Sequence, residues 1–238
     1  MEFDLNKALV AKGDFVEKLV HFLPCSVHVK EAQNRKYRSC NQQNLALFDF
    51  KKQEELVGKT VNELDSFMKP FWGREYSQFV DMMDHKTITN KESTHDNNRV
   101  FLTSKGFVHI QDMTKVPILG VNNQVLAIFT VSNTITERAD LITLYNYYKK
   151  IYQDKKNSVN FFLKHKKLDD CFFIPPTDAE IKVLLTMRIN ESHKIIANIL
   201  NTETKTVETH VRHIRNKLKN IELSALISLL RNSNGIQH

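Results

Sequence analysis

The sequence predicts an α+β chain: an antiparallel sheet with flanking helices, then a connecting helix, then an all-α four-helix domain. Three observations carry that prediction. Apolar residues run almost without a break from Val125 to Val131, a stretch free of Gly and Pro extends from 137 to 167, and four short amphipathic segments follow Pro175-Pro176.

The sheet is clearest between about 98 and 132. Val125, Ala127, Phe129 and Val131 interleave with Leu126, Ile128 and Thr130, and Val108, Ile110, Val116, Ile118 and Leu119 supply an antiparallel partner. Gly120 to Asn123 makes the turn, because Gly and Asn tolerate left-handed backbone angles. Upstream, Leu5, Ala8, Leu9, Val16 and Leu19 share one face of a leading helix over 3–22, interrupted by Gly13. Cys25 to Val29 gives a short strand signal, and 41–44 lead into Leu45, Ala46, Leu47 and Phe48.

Beyond the sheet, Leu141, Leu144, Tyr148 and Ile151 recur at helical spacing. That stripe predicts a helix over 137–167 that packs on a second copy or folds back onto its own domain. Pro175-Pro176 ends it, since proline cannot continue the ladder of backbone bonds. The expected domains are therefore 1–138, a connecting segment 139–173, and 174–238.

Composition narrows the function classes. At 238 residues, with 41% hydrophobic and 26% charged residues, the chain has the profile of a soluble globular protein. No run approaches the ~18 apolar residues of a membrane span, and Glu2, Asp4 and Asp14 make the N-terminus unlike a secretory signal. Cys25, Cys40 and Cys171 are far apart and lack paired metal-ligand spacing, which suits a reduced, cytoplasmic setting. Basic and acidic residues balance over 1–148, so the net charge of +7 arises from 149–170 (+4) and 171–238 (+3). Such asymmetry points to a polyanion partner for the C-terminal third.

Within that third, Thr177 and Glu180 form a capping-box pair that opens a helix through Val183, Leu184 and Met187. A second helix carries Ile195, Ile196, Ala197, Ile199 and Leu200; a third runs to about Lys219; a fourth spans about 222–230. In the third helix Val207, Val211, Ile214 and Leu218 form a core-facing stripe, and Lys205, Glu208, Arg212, Arg215 and Lys219 line another face. A helix anchored on one side and cationic on the other suits the major groove, where cations neutralise phosphates and an Arg fork meets guanine.

The run "PTDAEIKVLLTMRINESHKIIANILNTETKTVETHVRHIRNKL" resembles the LuxR-type helix-turn-helix domain. The resemblance is carried by Thr177, Glu180, Val183-Leu184, Ser192, Lys194, Ile196-Ala197, Leu200, Thr206-Val207, His210, Ile214 and Lys217-Leu218. It implies base reading by Glu208, Thr209 and Arg212, and phosphate contacts from Lys194, Lys205, Thr206, Arg215 and Lys217. Departures from the family pattern are Asn190 for the turn glycine, Glu203 where a capping Ser is common (with Thr202 or Thr204 as substitute caps), Ala179, and Ile195. His210 reads as packed or phosphate-facing; its isolated position gives no metal-ligand spacing, and no metal is expected.

Residues 20–138 resemble a PAS domain through "NQQNLALFDF", "LVGKTVNEL" and "KVPILGVNNQVLAIFTVSNTITERADL", with Asn133-Thr134-Ile135-Thr136 in place of the usual Asp-Ile-Thr turn. The resemblance implies a sensory role without naming a cofactor or ligand. His85, His95 and His109 are the histidines to test for haem ligation, though none stands in a haem motif.

Together the two resemblances imply a homodimeric, signal-controlled transcription regulator whose partners are double-stranded DNA, RNA polymerase and a small-molecule signal. The chain shows no phosphate loop, nucleophile elbow or metal cluster of an enzyme. A sigma-like factor would need a helical region where the strands lie, and a phosphorylated receiver would need early parallel strands. A pure interaction module is separated from these by its failure to bind DNA.

Overall fold

The computed structural model describes residues 16, 18–72 and 76–232. Most of the expected leading helix lies outside the described residues; 18–22 are helical, and Val20 is buried. The chain divides into two compact units between Ile135 and Thr136.

The first unit is a five-stranded antiparallel sheet: β1 (Ser26–Glu31), β2 (Tyr37–Cys40), β3 (Thr94–Leu102), β4 (Val108–Leu119) and β5 (Val125–Thr134), in the spatial order β2-β1-β5-β4-β3. The β4–β5 hairpin is closed as the sequence predicts. Gly120 donates to Gln124 (2.8 Å), and Asn123 takes the left-handed backbone at φ 57°. Three helices stand between β2 and β3: α1 (Gln42–Ala46), capped by the Asn41 side chain, α2 (Val61–Trp72) and α3 (Tyr76–Asn90). This arrangement is the antiparallel sheet with flanking helices that the sequence predicts.

The two faces of the sheet differ. Val27, Val29 and Ala127 pack with Val16, Val20, Leu23, Phe129 and Val131 on one side. Strand alternation and register place Ser26, His28 and Lys30 on the other side, with Gln111, Met113 and Lys115 of β4 and Thr130 and Ser132 of β5. On β3 the register shifts between Asp96 and Arg99, where Asn98 adopts φ 55° and its N–H donates to Asp112 (2.8 Å). One extra residue reverses the alternation, and Arg99 and Phe101 become buried beside Gln111 and His109.

The second unit is helical. The expected single helix over 137–167 is instead two, α4 (Leu141–Tyr152) and α5 (Lys155–His165). Gln153 ends α4 in the left-handed region at φ 56°, and Asp154 caps α5 through the N–H groups of Lys156 and Asn157. Asp140 caps α4 through Ile142 and Thr143, supplying the acidic cap that the 133–136 turn lacks. The helical run also stops before the prolines: Lys167 is left-handed at φ 56°, and Phe172 bridges to Leu218.

The predicted stripe folds inward. Leu141, Leu144 and Tyr148 are buried together with Tyr145, Val159, Phe162 and Leu163. Tyr145 Oη donates to Asp178 (2.8 Å), and Arg188 pairs with Asp140. Burying each large apolar side chain contributes about 1.5–3 kcal/mol. That energy is spent within the unit, so the stripe is not a seam left open for a second copy.

Four helices complete the unit: α6 (Asp178–Met187), α7 (His193–Ile199), α8 (Thr204–Lys217) and α9 (Leu223–Asn232). Ile181, Val183, Leu184, Ile196, Ala197, Val207, Val211, Ile214, Leu226 and Leu230 form their interior. Between α7 and α8, Asn201 is left-handed at φ 50° and Thr202 donates to the Ala197 carbonyl (2.9 Å), which makes the tight turn. Asn190, which stands where the family has a turn glycine, does not take the left-handed backbone. That residue instead accepts the Ser192 N–H through its side chain (2.9 Å). The three free cysteines are the buried Cys40 and the half-buried Cys25 and Cys171. Among the described residues no helix is long and apolar enough to cross a membrane.

Candidate nucleic-acid interface and interior pocket

Helix α8 is fixed by what it buries. Val207, Val211 and Ile214 sit in the core, while Lys205, Glu208, Arg212 and Arg215 are exposed. Lys194 on α7 is also exposed; Thr206 and Thr209 are half-buried, and Thr209 Oγ1 donates to the Lys205 carbonyl (2.9 Å). The helix starts at Glu203 without a side-chain cap, so neither Thr202 nor Thr204 takes the role foreseen for it. Its first N–H groups are therefore open to an acceptor such as a phosphate oxygen.

The far end of α8 is tied down. Phe173 donates to the Lys217 carbonyl (2.9 Å) and Lys219 to that of Cys171 (2.8 Å). Lys217 donates to Glu180 Oε2 (2.7 Å), the same oxygen that accepts the Thr177 N–H of the capping box (2.7 Å). Burial opposes ionisation of Glu180, but Lys217 and Thr177 hold its carboxyl below the usual carboxylate range. Lys217 thus locks α8 to α6, and to reach a phosphate it would have to leave Glu180.

Beside this lock, His213 Nδ1 lies 3.6 Å from Glu180 Oε1, and the nearest ligand atoms of Glu180, His210 and His213 all fall within 4.8 Å of one another. His210 Nδ1 is buried without a partner. Motif spacing in the sequence does not reveal these ligands, which is why no metal is expected at His210 from the sequence. Helix α6 contributes Glu180, and His213 lies one turn from His210 on α8. Lys217 already occupies the carboxylate, so a cation would compete with it.

Residues 177–230 match the family described as "Bacterial regulatory proteins, luxR family". The C-terminal segment is a luxR-family domain. No curated protein matches the chain significantly. Among solved structures, VqmA of Vibrio cholerae in a complex with ligand and DNA is 18% identical, with 95% of this chain and 88% of that one covered at a TM-score of 0.46. A phage VqmA in complex with DPO is 16% identical, with 98% and 93% covered at 0.45. The PAS domain of Bordetella pertussis BvgS is 18% identical, with 59% and 98% covered at 0.47.

In the luxR-family domain, α7, the turn at Asn201 and α8 make the helix-turn-helix, and α8 is the helix that presents cations to solvent.

The first unit holds a pocket between the polar sheet face and helices α1–α3. His28, Asn44, Tyr76, Arg99, Gln111 and Lys115 are among the residues that line it. Lys30 and Lys115 are both fully buried and both reach Asp84, Lys30 at 2.7 Å from Oδ2 and Lys115 at Oδ1. Burial works against the Asp84 charge, yet the two ammonium groups hold its pKa down at about 2. Burial pulls Lys115 down to about 8 against the attraction of Asp84. Desolvation, helped by Lys30 and Lys115, keeps His28 neutral, well below its usual pKa.

The histidines proposed for haem lie elsewhere. His85 and His95 are exposed and lie against Thr89 and Thr114, and His109 sits tilted against the Phe101 ring without lining the pocket. The pocket histidine is His28, which the sequence reading did not single out.

Proposed function

We propose that the chain is a sequence-specific DNA-binding transcription regulator governed by an N-terminal sensor. The carrying observation is α8 of the luxR-family domain, anchored by Val207, Val211 and Ile214 and showing Lys205, Arg212 and Arg215 to solvent. In this reading 1–138 is the sensor, 174–238 the reader, and 139–173 the segment joining them. Glu208, Thr209 and Arg212 read base edges; Lys194, Lys205, Thr206 and Arg215 hold phosphates. The regulator acts in the cytoplasm as a homodimer, as a two-fold operator requires, with contacts to RNA polymerase at its promoters. The luxR-family domain and the pocket support regulation by a small molecule and call for no catalytic step.

Selection of bound fragments from genomic DNA by the full chain tests this reading. A recurrent pseudo-palindrome is expected. Retention of random fragments only, or of none, defeats it. Truncations should retain 136–238, because a cut at 174 strips α4 and α5 from α6 and removes the Tyr145–Asp178 bond.

A further inference from the structure

The pocket of the first unit carries more positive than negative charge. Both oxygens of Asp84 are taken by Lys30 and Lys115. Arg99 is also buried, and its nearest carboxylate, Asp96, stands 3.8 Å from Nε, beyond hydrogen-bond distance. Three cations against Asp84 and the nearby Asp96 leave one charge unbalanced. Arg99 Nη1 meets only the Met113 sulfur (2.9 Å), a weak acceptor, and Nη2 has no partner. The guanidinium is nevertheless held in place, over the rings of Tyr76 (4.4 Å) and Phe101 (5.6 Å).

Other buried polar atoms share this cavity. The Asn44 amide nitrogen lies 3.2 Å from His28 Nδ1, so a neutral His28 accepts there and carries its hydrogen on Nε2, which has no partner. Gln111 Oε1 is likewise unpartnered. Arg99, His28 and Gln111 all line the same cavity of about 30 Å³. Buried polar atoms without partners are rare in folded proteins, and a group of them around one cavity marks a place where a ligand completes the bonding.

We propose that this pocket takes a small organic monoanion, a short-chain carboxylate, whose oxygens accept from Arg99 and His28. A hydroxyl on the ligand donates to Gln111. One negative charge balances the surplus, which favours a monoanion over a phosphate dianion. The cavity is small, which limits the ligand to a compact acid of a few heavy atoms. This inference rests on the sensor reading and names the chemistry of its signal.

The test uses the full chain, with thermal unfolding and titration calorimetry against sodium acetate, glycolate and lactate. Each is paired with its neutral amide and with sodium chloride at equal ionic strength. The carboxylates are expected to raise the melting temperature by several degrees, glycolate or lactate more than acetate, with the amides and chloride inert. Arg99→Lys keeps the charge but loses the fork, and should weaken binding by about tenfold or more. Gln111→Leu should remove the hydroxy acids' advantage over acetate and leave acetate binding intact, a readout that a folding defect would not imitate.

Equal shifts from amides and carboxylates, undiminished binding to Arg99→Lys, or no shift from any carboxylate overturns the proposal. DNA retention is measured on the same samples. DNA binding with no carboxylate effect defeats the ligand class alone, and carboxylate binding without DNA binding defeats the regulator alone.

Discussion

The interiors of the two units are built on opposite plans. The sheet unit buries Lys30, Lys115, Asp84, Arg99 and His28 against its helices, while the luxR-family domain buries Ile181, Val183, Leu184, Ile196, Val211 and Leu226 and turns its cations outward. Its main buried ion, Glu180, is satisfied by Lys217 and by the capping N–H. A polar interior is costly to assemble and its balance depends on what enters it. An apolar interior holds one shape whatever the solvent offers. The contrast suits a unit that responds and a unit that presents a fixed face.

The largest test strikes the shared carboxylate. Asp84→Asn leaves Lys30 and Lys115 buried without their counter-charge and should cost about 3–5 kcal/mol of stability in the sheet unit. In urea unfolding followed by hydrogen exchange of the β1 and β4 amides, the transition should move sharply to lower denaturant. Helicity of the luxR-family domain should persist past that point. An unmoved first transition would show that water reaches the lysines and that the interior is not dry.

The second test uses pH. Lys115 has a folded pKa of about 8 against an ordinary 10.5, so between these values the unfolded chain binds more protons than the folded one. Lys115 therefore makes the sheet unit more stable as pH rises through that window and opposes folding below it; Cys40, whose buried thiol is pushed up from 9.0 to about 12, works the other way above 9, so the rise is clearest between 8 and 9. Asp84, held at about 2, works in the other direction on acidification: its contribution is complete above 3.8 and is lost as pH falls toward 2. Lys115→Met should abolish the alkaline rise while leaving the acid limb. A rise that survives in the variant would assign the window to another group.

The sequence made the two plans unequally legible. The luxR-family domain could be read almost whole, because periodic apolar residues coincide with its core and the capping box with its first turn. In the sheet, the β4–β5 hairpin was legible from apolar alternation, but β2, β3, α2 and α3 were not. Strand β3 reads THDNNRVFL, and polar residues in a strand are ordinarily taken for a solvated face. Here the register shift at Asn98 and the pairing with β4 turn Arg99 inward. Lys30, Asp84 and Lys115 are far apart in sequence, so only the folded sheet shows that they meet. Glu180 and Lys217 escaped notice as a pair for the same reason. Gln153 ended the expected long helix because Asp154 could cap a new one, a local event that the hydrophobic stripe does not report.

On the presenting side, the next effect in size belongs to Arg212. It is exposed on α8 beside Glu208, and Arg212→Ala should weaken binding to the selected site by about 1–3 kcal/mol and relax preference at one base position. Competition binding with single-base operator variants measures both. A uniform loss over all variants would move Arg212 to the phosphate-holding set. Thr177→Ala removes the hydroxyl that accepts the Glu180 N–H and should lower the domain's stability by about 1 kcal/mol without touching site preference.

The smallest effect is the most diagnostic of how the face works. Lys205 lies in the first turn of α8, where the helix has no side-chain cap. An ammonium at that position neutralises a phosphate without reading a base, so Lys205→Ala should weaken specific and random DNA alike. The slope of log affinity against log salt should fall by about one phosphate contact. Under the proposed division, with Arg212 setting preference and Lys205 the salt slope, the double variant should show both changes added together. If Lys205→Ala changes site preference and leaves the salt slope alone, then α8 enters the groove by its first turn, and the division between Lys205 and Arg212 must be reversed.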